Sequence, residues 1–282
     1  ALVRGIPVSN LDPRTVDSFG DEWSHFDQSG MSDKEARKVF DEYFAVFPWE
    51  SLPPDAVGFD MGCGSGRWAR WVAPLVGSLH CIDPSTAIEV ARDNLAAHSN
   101  ITFHCASVDS SGLQSSSQDF GYSLGVLHHV PDTAAAIRSC ADLLKPGAPL
   151  LLYLYYAFDN RPFWFRTLWR LSDWLRRGIY RLPPKLKRKV TDAMAALVYW
   201  PLSRLSHVID ILGLPVDGVP LSYYRNHSFY TMRTDARDRF GTPLEQRFSQ
   251  NQIVEMMEAA GLVDVRFSDA APYWCAVGIR AS

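Results

Sequence analysis

Between residues 54 and 157, short apolar runs alternate with segments whose apolar positions recur every three or four residues. The runs AVGFDM, SLHCID, ITFHCA, DFGYSLGV and APLLLYLYY have the length of buried strands. RWARWVAPLV, STAIEVARDNLAAH and TAAAIRSCADLL have the period of helices with one apolar face. Strand and helix in alternation predict a parallel sheet covered on both faces, because each crossover must return over the sheet before the next strand can pair. Lys145-Pro146-Gly147 supplies a helix stop before the last of these strands.

The pattern changes after Asn160. Trp164, Leu168, Leu171, Leu175 and Ile179 recur at spacings of three and four, with Arg166, Arg170 and Arg177 off that stripe. This predicts an amphipathic helix from Arg161 to about Arg181, its apolar stripe facing the sheet domain and its arginines in water. Pro183-Pro184 break the chain, a second helical pattern runs from about Leu186 to Trp200, and Pro201 interrupts or kinks it. Further on, SQNQ at 249–252 has Ser and Gln at capping-box spacing, opening the helix IVEMMEAAG that Gly261 stops. LVDVRFSD and PYWCAVGIR follow as strands, and the short connection at Ala271-Pro272 predicts an antiparallel pair. The chain thus divides into an N-terminal helical cap over 1–53, a sheet domain over 54–160 and 248–282, and a mostly helical insertion over 161–247.

Composition narrows the class. At 282 residues, with 47% hydrophobic and 21% charged, the chain has the size and balance of a folded domain with an insertion, which excludes disorder and fibrous repeats. The net charge of −3 disfavours a nucleic-acid partner for the molecule as a whole. Residues 161–190, however, hold ten Lys or Arg against one acid, Asp173. Five cysteines without a CxxC pair favour reduced thiols and a cytoplasmic location over a disulfide frame. No His, Asp, Glu or Cys set has metal-ligand spacing, which disfavours a metal site. The longest apolar run, Ala148 to Phe158, is about half of what a spanning helix needs. The stretch ALVRGIPVSNLDPRT has no basic segment followed by an apolar core, so no signal peptide is expected.

The densest chemical signal is GFDMGCGSGRW at 58–68. An apolar strand carrying Asp60, a turn with Gly62, Gly64 and Gly66, then a helix from Arg67, is the layout of a nucleotide-binding first crossover. Glycine is required where a turn takes positive φ and where a ligand touches backbone. The spacing is GxGxG, and Arg67 stands where a GxGxxG fingerprint has its last glycine, which disfavours a nicotinamide cofactor. Asp83 ends the second strand 21 residues beyond Gly62, where a carboxylate can accept from both ribose hydroxyls.

On these residues the chain resembles the class I S-adenosylmethionine-dependent methyltransferases. DMGCGSG is similar to their first motif, CIDPS to the acidic second, HCASVDS to the adenine-contacting turn, and DFGYSLGVLHHVPDT with LLKPGAPLLLY to their fourth and fifth strands. The resemblance covers about residues 54–157 and resumes from about 248 to 280. It implies an α/β, doubly wound, mostly parallel seven-stranded Rossmann-like sheet with a helical insertion. It also implies S-adenosylmethionine as cofactor and S-adenosylhomocysteine as product. By the same resemblance, Gly62, Cys63, Gly64 and Gly66 form the cofactor turn, with the first three against the methionine part. Asp60 helps hold the ammonium, Asp83 the ribose, Pro84 borders the adenine, and Leu124 faces the methionine through its backbone. In the third motif Ser107 stands at the position the family often gives to an acid, followed by Val108, with Asp109 the nearest carboxylate; the backbone N–H of Val108 still serves the adenine.

Methyl transfer needs a base only where the acceptor loses a proton. His128 and His129 follow the fourth strand at the ligand-binding edge; His128 is the expected base, while His129 packs beneath the site. Trp23, His25 and Phe26 suit either an apolar lid or ordinary packing. Tyr155, Tyr156, Asp159 and Asn160 fall at the rim, and Tyr223, Tyr224, His227 and Tyr230 on the far side. The basic aromatic helix has three readings, ranked as a lid over the acceptor, a peripheral membrane contact through 161–190, and an RNA contact. The expected function is transfer of a methyl group to oxygen or nitrogen of a small-molecule specialised metabolite. A cell-surface saccharide or lipid-linked acceptor follows, and a catalytically silent cofactor-binding or membrane-surface protein is the reading from another class.

Overall fold

The computed structural model describes residues 2–3, 6–7, 11–23, 30–216 and 218–282. Two helices, α1 (Pro13–Trp23) and α2 (Asp33–Tyr43), precede the sheet. Ser32 caps α2 by accepting from the Glu35 N–H, and Asp33 and Glu35 in the first turn complement its dipole.

Seven strands follow: β1 (Val57–Met61), β2 (Ser78–Ile82), β3 (Ile101–His104), β4 (Phe120–Leu124), β5 (Pro149–Tyr153), β6 (Leu262–Phe267) and β7 (Cys275–Arg280). They form one sheet in the order β3-β2-β1-β4-β5-β7-β6. β1 to β5 run parallel, and β7 is antiparallel to both β5 and β6. The chain order reverses between β1 and β4, so successive crossovers diverge and a crevice opens at the carboxyl ends of these two strands.

The crossovers carry α3 (Ala69–Val72), α4 (Ala87–Asn94) and α5 (Thr133–Leu143). Because the central strands are buried on both faces, successive residues serve different cores. Leu150 and Leu152 of β5 pack with Ile137 of α5, whereas Leu151 packs with Phe40, Val72, Ile88 and Phe120 on the other face.

Between β5 and the last helix, α10 (Gln250–Ala259), the chain leaves the sheet and returns beside its point of departure. Ala157 N–H donates to Phe248 O at 2.8 Å and Phe248 N–H to Tyr155 O at 2.9 Å, so the two ends of the excursion are zipped together. Ser249 and Gln252 then form the capping box that opens α10.

The excursion contains α6 (Phe163–Ile179), α7 (Pro184–Met194), a π-helical turn at Ala195–Tyr199, α8 (Trp200–Ile211) and α9 (Phe229–Gly241). The π turn lies just before Pro201. A proline ring has no N–H for the preceding turn and displaces its carbonyl, so the ladder widens there while the helix continues. α9 runs through the middle: Met232, Ala236 and Phe240 pack with Ala195 and Tyr199, and Arg233 bonds Asp192 of α7 at 2.9 and 3.1 Å.

The orientation of α6 corrects the expectation from its periodicity. Trp164, Leu168, Leu171 and Leu175 are exposed rather than turned to the sheet domain. The inward side is chosen instead by Arg176, whose guanidinium donates to the carbonyls of Thr242 and Pro243 at 3.0 and 3.2 Å and pairs with Asp173. Phe165 and Trp169, on the same side, stack against Phe158.

Leu150 is fully buried between α5 and the β7 side of the sheet. Leu150→Ala is expected to cost about 2–5 kcal/mol, read as a lower urea midpoint with unchanged slope.

Candidate active site

The glycine turn is tied to β2 before any ligand is considered. Gly62 and Cys63 N–H both donate to the Ile82 carbonyl, at 2.7 and 3.1 Å, and Gly64 N–H donates to Asp83 Oδ2 at 3.0 Å. Gly62 and Gly64 have φ of +84° and +54°, conformations that a side chain resists. A Cβ at Gly62 would meet Val126 at 2.4 Å, and one at Gly64 would lie 3.2 Å from the Trp23 indole nitrogen. Val126 and Trp23 therefore flank the turn from the β4 and α1 sides.

Asp83 also accepts from the backbone N–H and hydroxyl of Ser85, at 2.8 and 2.6 Å. Burial raises its carboxyl above the ordinary range, and these donors oppose the shift. Asp60 is more extreme. It is fully buried, burial pushes its carboxyl well above the usual range with the Tyr122 hydroxyl opposing, and neither oxygen has a hydrogen-bond partner among the described residues. Asp60 does not line the cavity that opens at this turn, and burial favours its neutral form.

A cavity of about 550 Å³ extends from this turn to the helical excursion. Gly62, Gly64 and Asp83 line it, together with Tyr153 and Tyr155 of the sheet side and Trp169, Tyr199 and Tyr224 of the helical excursion. Arg247 lies over the rings of Tyr155, Phe158 and Trp169 at 5.0 to 5.3 Å and pairs with Glu245 at 2.8 Å, which places a neutralised cation in an aromatic wall.

Two acids of α9, Asp235 and Asp238, face this cavity one helical turn apart. Burial pushes Asp235 up to about 6, against the opposing effects of Arg67 and the Tyr224 hydroxyl, which donates to it at 2.9 Å. Burial pushes Asp238 up to about 7, opposed by the Tyr155 hydroxyl that donates to it and reinforced by Glu245. His129 stands beside this pair, Nε2 3.7 Å from Asp238 Oδ1. Its Nδ1 lies 2.6 Å from the Leu244 carbonyl, which fixes the proton on Nδ1 and leaves Nε2 bare. Burial lowers its pKa to about 4, so the ring is neutral near neutral pH.

The structure gathers only part of the expected set. Gly62, Cys63, Gly64, Asp83, Pro84 and Leu124 line the cavity. Asp60, expected to help hold the ammonium, is instead fully buried in β1 and does not line the cavity. Gly66 faces away from the cavity, and a Cβ there would meet Leu95 of the α4 segment at 2.6 Å, which makes it a packing glycine. Ser107 is buried, its hydroxyl donating to Asp109, and with Val108 it stands apart from the cavity wall.

His128 departs most from expectation. It is fully buried off that wall, stacked on Tyr155 with ring centroids 3.9 Å apart, because the short helical turn Leu127–His129 directs His129 to the cavity and His128 behind it. Tyr156, Tyr223 and Tyr224 line the cavity, whereas Asp159 is engaged by Gln250 N–H and the Trp274 indole. His25 and Phe26 lie outside the described residues.

Residues 59–152 match the methyltransferase domain family. The ubiquinone biosynthesis O-methyltransferase of Xanthomonas axonopodis pv. citri (strain 306) is 37% identical over 103 residues, 36% of this chain and 43% of that protein. The chain thus spans less than half the length of this curated relative. The CurJ carbon methyltransferase superposes with TM-score 0.52 at 15% identity, over 96% of this chain and 60% of that one. An O-methyltransferase family protein from Burkholderia thailandensis gives 0.50 at 16%, over 88% and 56%. At these identities the two structures share the fold.

The raised Asp238 and lowered His129 have opposite consequences for stability. Asp238 contributes below about pH 4 and loses that contribution as pH rises through about 7. His129 contributes above its ordinary value of 6.5 and loses that contribution as pH falls through about 4. Asp238→Asn removes the first arm. Unfolding stability of the variant, measured by urea titration from about pH 4 to 8, is expected to rise more steeply with pH than that of the wild type.

Proposed function

We propose that this chain, whose residues 59–152 match the methyltransferase domain family, transfers the methyl group of S-adenosylmethionine to an oxygen or nitrogen of a largely apolar small molecule. The observation that supports this reading most is one continuous cavity, lined by the glycine turn and Asp83 together with an aromatic wall and two raised carboxyls.

The residues present fit the cofactor. Gly62, Cys63 and Gly64 would hold the methionine part, with Leu124 at its side; the buried Asp60, two residues before the turn, would act on the ammonium from behind the cavity wall. Asp83, with acceptor capacity beyond its three bonds, would take the ribose, and Pro84 would border the adenine. When bound, S-adenosylmethionine supplies an electrophilic methyl group on a sulfonium. The protein then has to align the acceptor and, where the acceptor atom is protonated, receive its proton.

Asp238 suits that second task better than His128. It faces the cavity, and at about 7 its carboxylate is available as a base at neutral pH. Tyr155 fixes its orientation by donating to one oxygen. The bare Nε2 of His129 faces the other oxygen and favours a proton residing on that carboxyl. A lipid-linked acceptor is a second reading, supported by Leu168, Leu175 and Val198, which line the cavity and are also exposed at its mouth.

Calorimetric titration with S-adenosylhomocysteine tests the cofactor site. Wild type is expected to bind, and Asp83→Ala to bind about tenfold or more weakly; a well-folded wild type that does not bind overturns the reading. With an aromatic hydroxyl acceptor, Asp238→Asn is expected to lower kcat about a hundredfold or more while S-adenosylhomocysteine affinity stays unchanged. Undiminished kcat in that variant removes Asp238 from the reaction.

A further inference from the structure

Helix α6 is divided lengthwise. Its inward side carries Phe165, Trp169, Asp173 and Arg176, and its outward side consists of two adjoining strips. With about 100° between successive residues, Phe163, Trp164, Leu168, Leu171, Trp174 and Leu175 fall on one arc, and Arg166, Arg170 and Arg177 on the arc next to it. The apolar arc is open to solvent: Phe163 is 75% exposed, Trp174 74% and Leu171 62%. The π turn, whose Val198 lines the same cavity as Leu168 and Leu175, is exposed too: Leu197 is 76% exposed and Val198 is exposed as well. Among the described residues nothing covers this face, and contiguous apolar surface of this kind marks an interaction site.

The charge beside it narrows the partner. Residues 161–190 hold ten basic residues and one acid, in a chain whose remainder is net acidic. Two of those cations, Arg176 and Lys187, are spent on backbone carbonyls within the fold, and Arg177 pairs with Asp173 at 3.0 Å, but Arg166, Arg170 and Lys185 remain exposed. A partner must therefore offer hydrocarbon and anions side by side along a helix length. A bilayer with anionic headgroups offers both, with indoles at the headgroup level, aliphatic chains below and arginines on phosphates. A nucleic acid would satisfy the arginines and leave Phe163 and Leu171 in water. No helix among the described residues is long and apolar enough to cross a membrane, so the contact would lie in the interface plane.

We propose that the outward face of α6, with the adjoining π turn, docks onto an anionic lipid bilayer and sets the cavity mouth against the lipid. The inference goes beyond methyl transfer and does not depend on it, since vesicle binding is read without cofactor or acceptor.

The experiment is co-sedimentation with vesicles of phosphatidylcholine alone and of phosphatidylcholine mixed with phosphatidylglycerol, at low and high salt. Wild type is expected to bind the mixed vesicles at least about tenfold more tightly than the neutral ones, an advantage that high salt reduces. Leu171→Ser with Trp174→Ser is expected to weaken binding about tenfold or more, and Arg166→Glu with Arg170→Glu to remove the preference for anionic lipid. None of the four side chains lines the cavity, and an unchanged circular dichroism spectrum and unfolding midpoint verify that each variant is folded. Failure of wild type to bind either vesicle overturns the proposal, whether the face then pairs two copies in sedimentation velocity or binds single-stranded RNA. Binding that neither double variant alters overturns it equally.

Discussion

Everything at the cofactor end hangs on how the carboxyl end of β2 grips the turn after β1. One carbonyl, that of Ile82, receives two successive N–H groups, and the next side chain, Asp83, receives a third. The turn is thus shaped by its neighbour strand rather than by its own sequence alone. Glycines are needed because this grip forces positive φ where Val126 and Trp23 stand close. The same carboxylate that pins the turn faces the cavity, so the geometry of the turn and the placement of that carboxylate cannot vary independently.

The helical excursion is governed by a different kind of constraint. Its ends meet in a short parallel bridge at Tyr156 and Phe248, so a long detour is closed at low conformational cost and moves with β5. Inside it, polar groups do much of the positioning. Arg176 and Lys187 reach carbonyls at the end of α9, and Arg233 forks onto Asp192. Such bonds specify one arrangement of helices while releasing hydrophobic side chains of α6 to face outward.

The sheet and the turn were legible because their signals are local. A strand, three spaced glycines and an acid one crossover later have few alternative structures, and the capping box at Ser249 reads directly. α9 carried no such signal. Thr231, Thr234, Ala236, Arg237 and Gly241 are buried on several sides of it, so no apolar stripe advertises a helix, and the acids within TDARDRF look solvated until the fold desolvates them. α6 shows the opposite failure. Its stripe was correctly periodic, but periodicity says that a face is apolar and not what covers it; the decision lay with Arg176 and the remote carbonyls of Thr242 and Pro243. Read from the sequence, His128 falls at the site and His129 beneath it, and the sense of one short helical turn reverses the two.

Helix α1 meets both the glycine turn and α9. Its last residue, Trp23, stands over Gly64, while Asp21 pairs with Arg237 of α9 and Arg188 of α7, and Ser18 donates to the Gly241 carbonyl at 3.3 Å. The indole above the turn and the acids of α9 are therefore joined through one rigid element about three turns long. To the extent that filling the turn displaces Trp23, it also shifts the contacts that hold α9. Linkage then makes the effect mutual: a molecule seated against Asp235 and Asp238 alters affinity at the glycine turn by the same factor in return, with no direct contact between the two ligands.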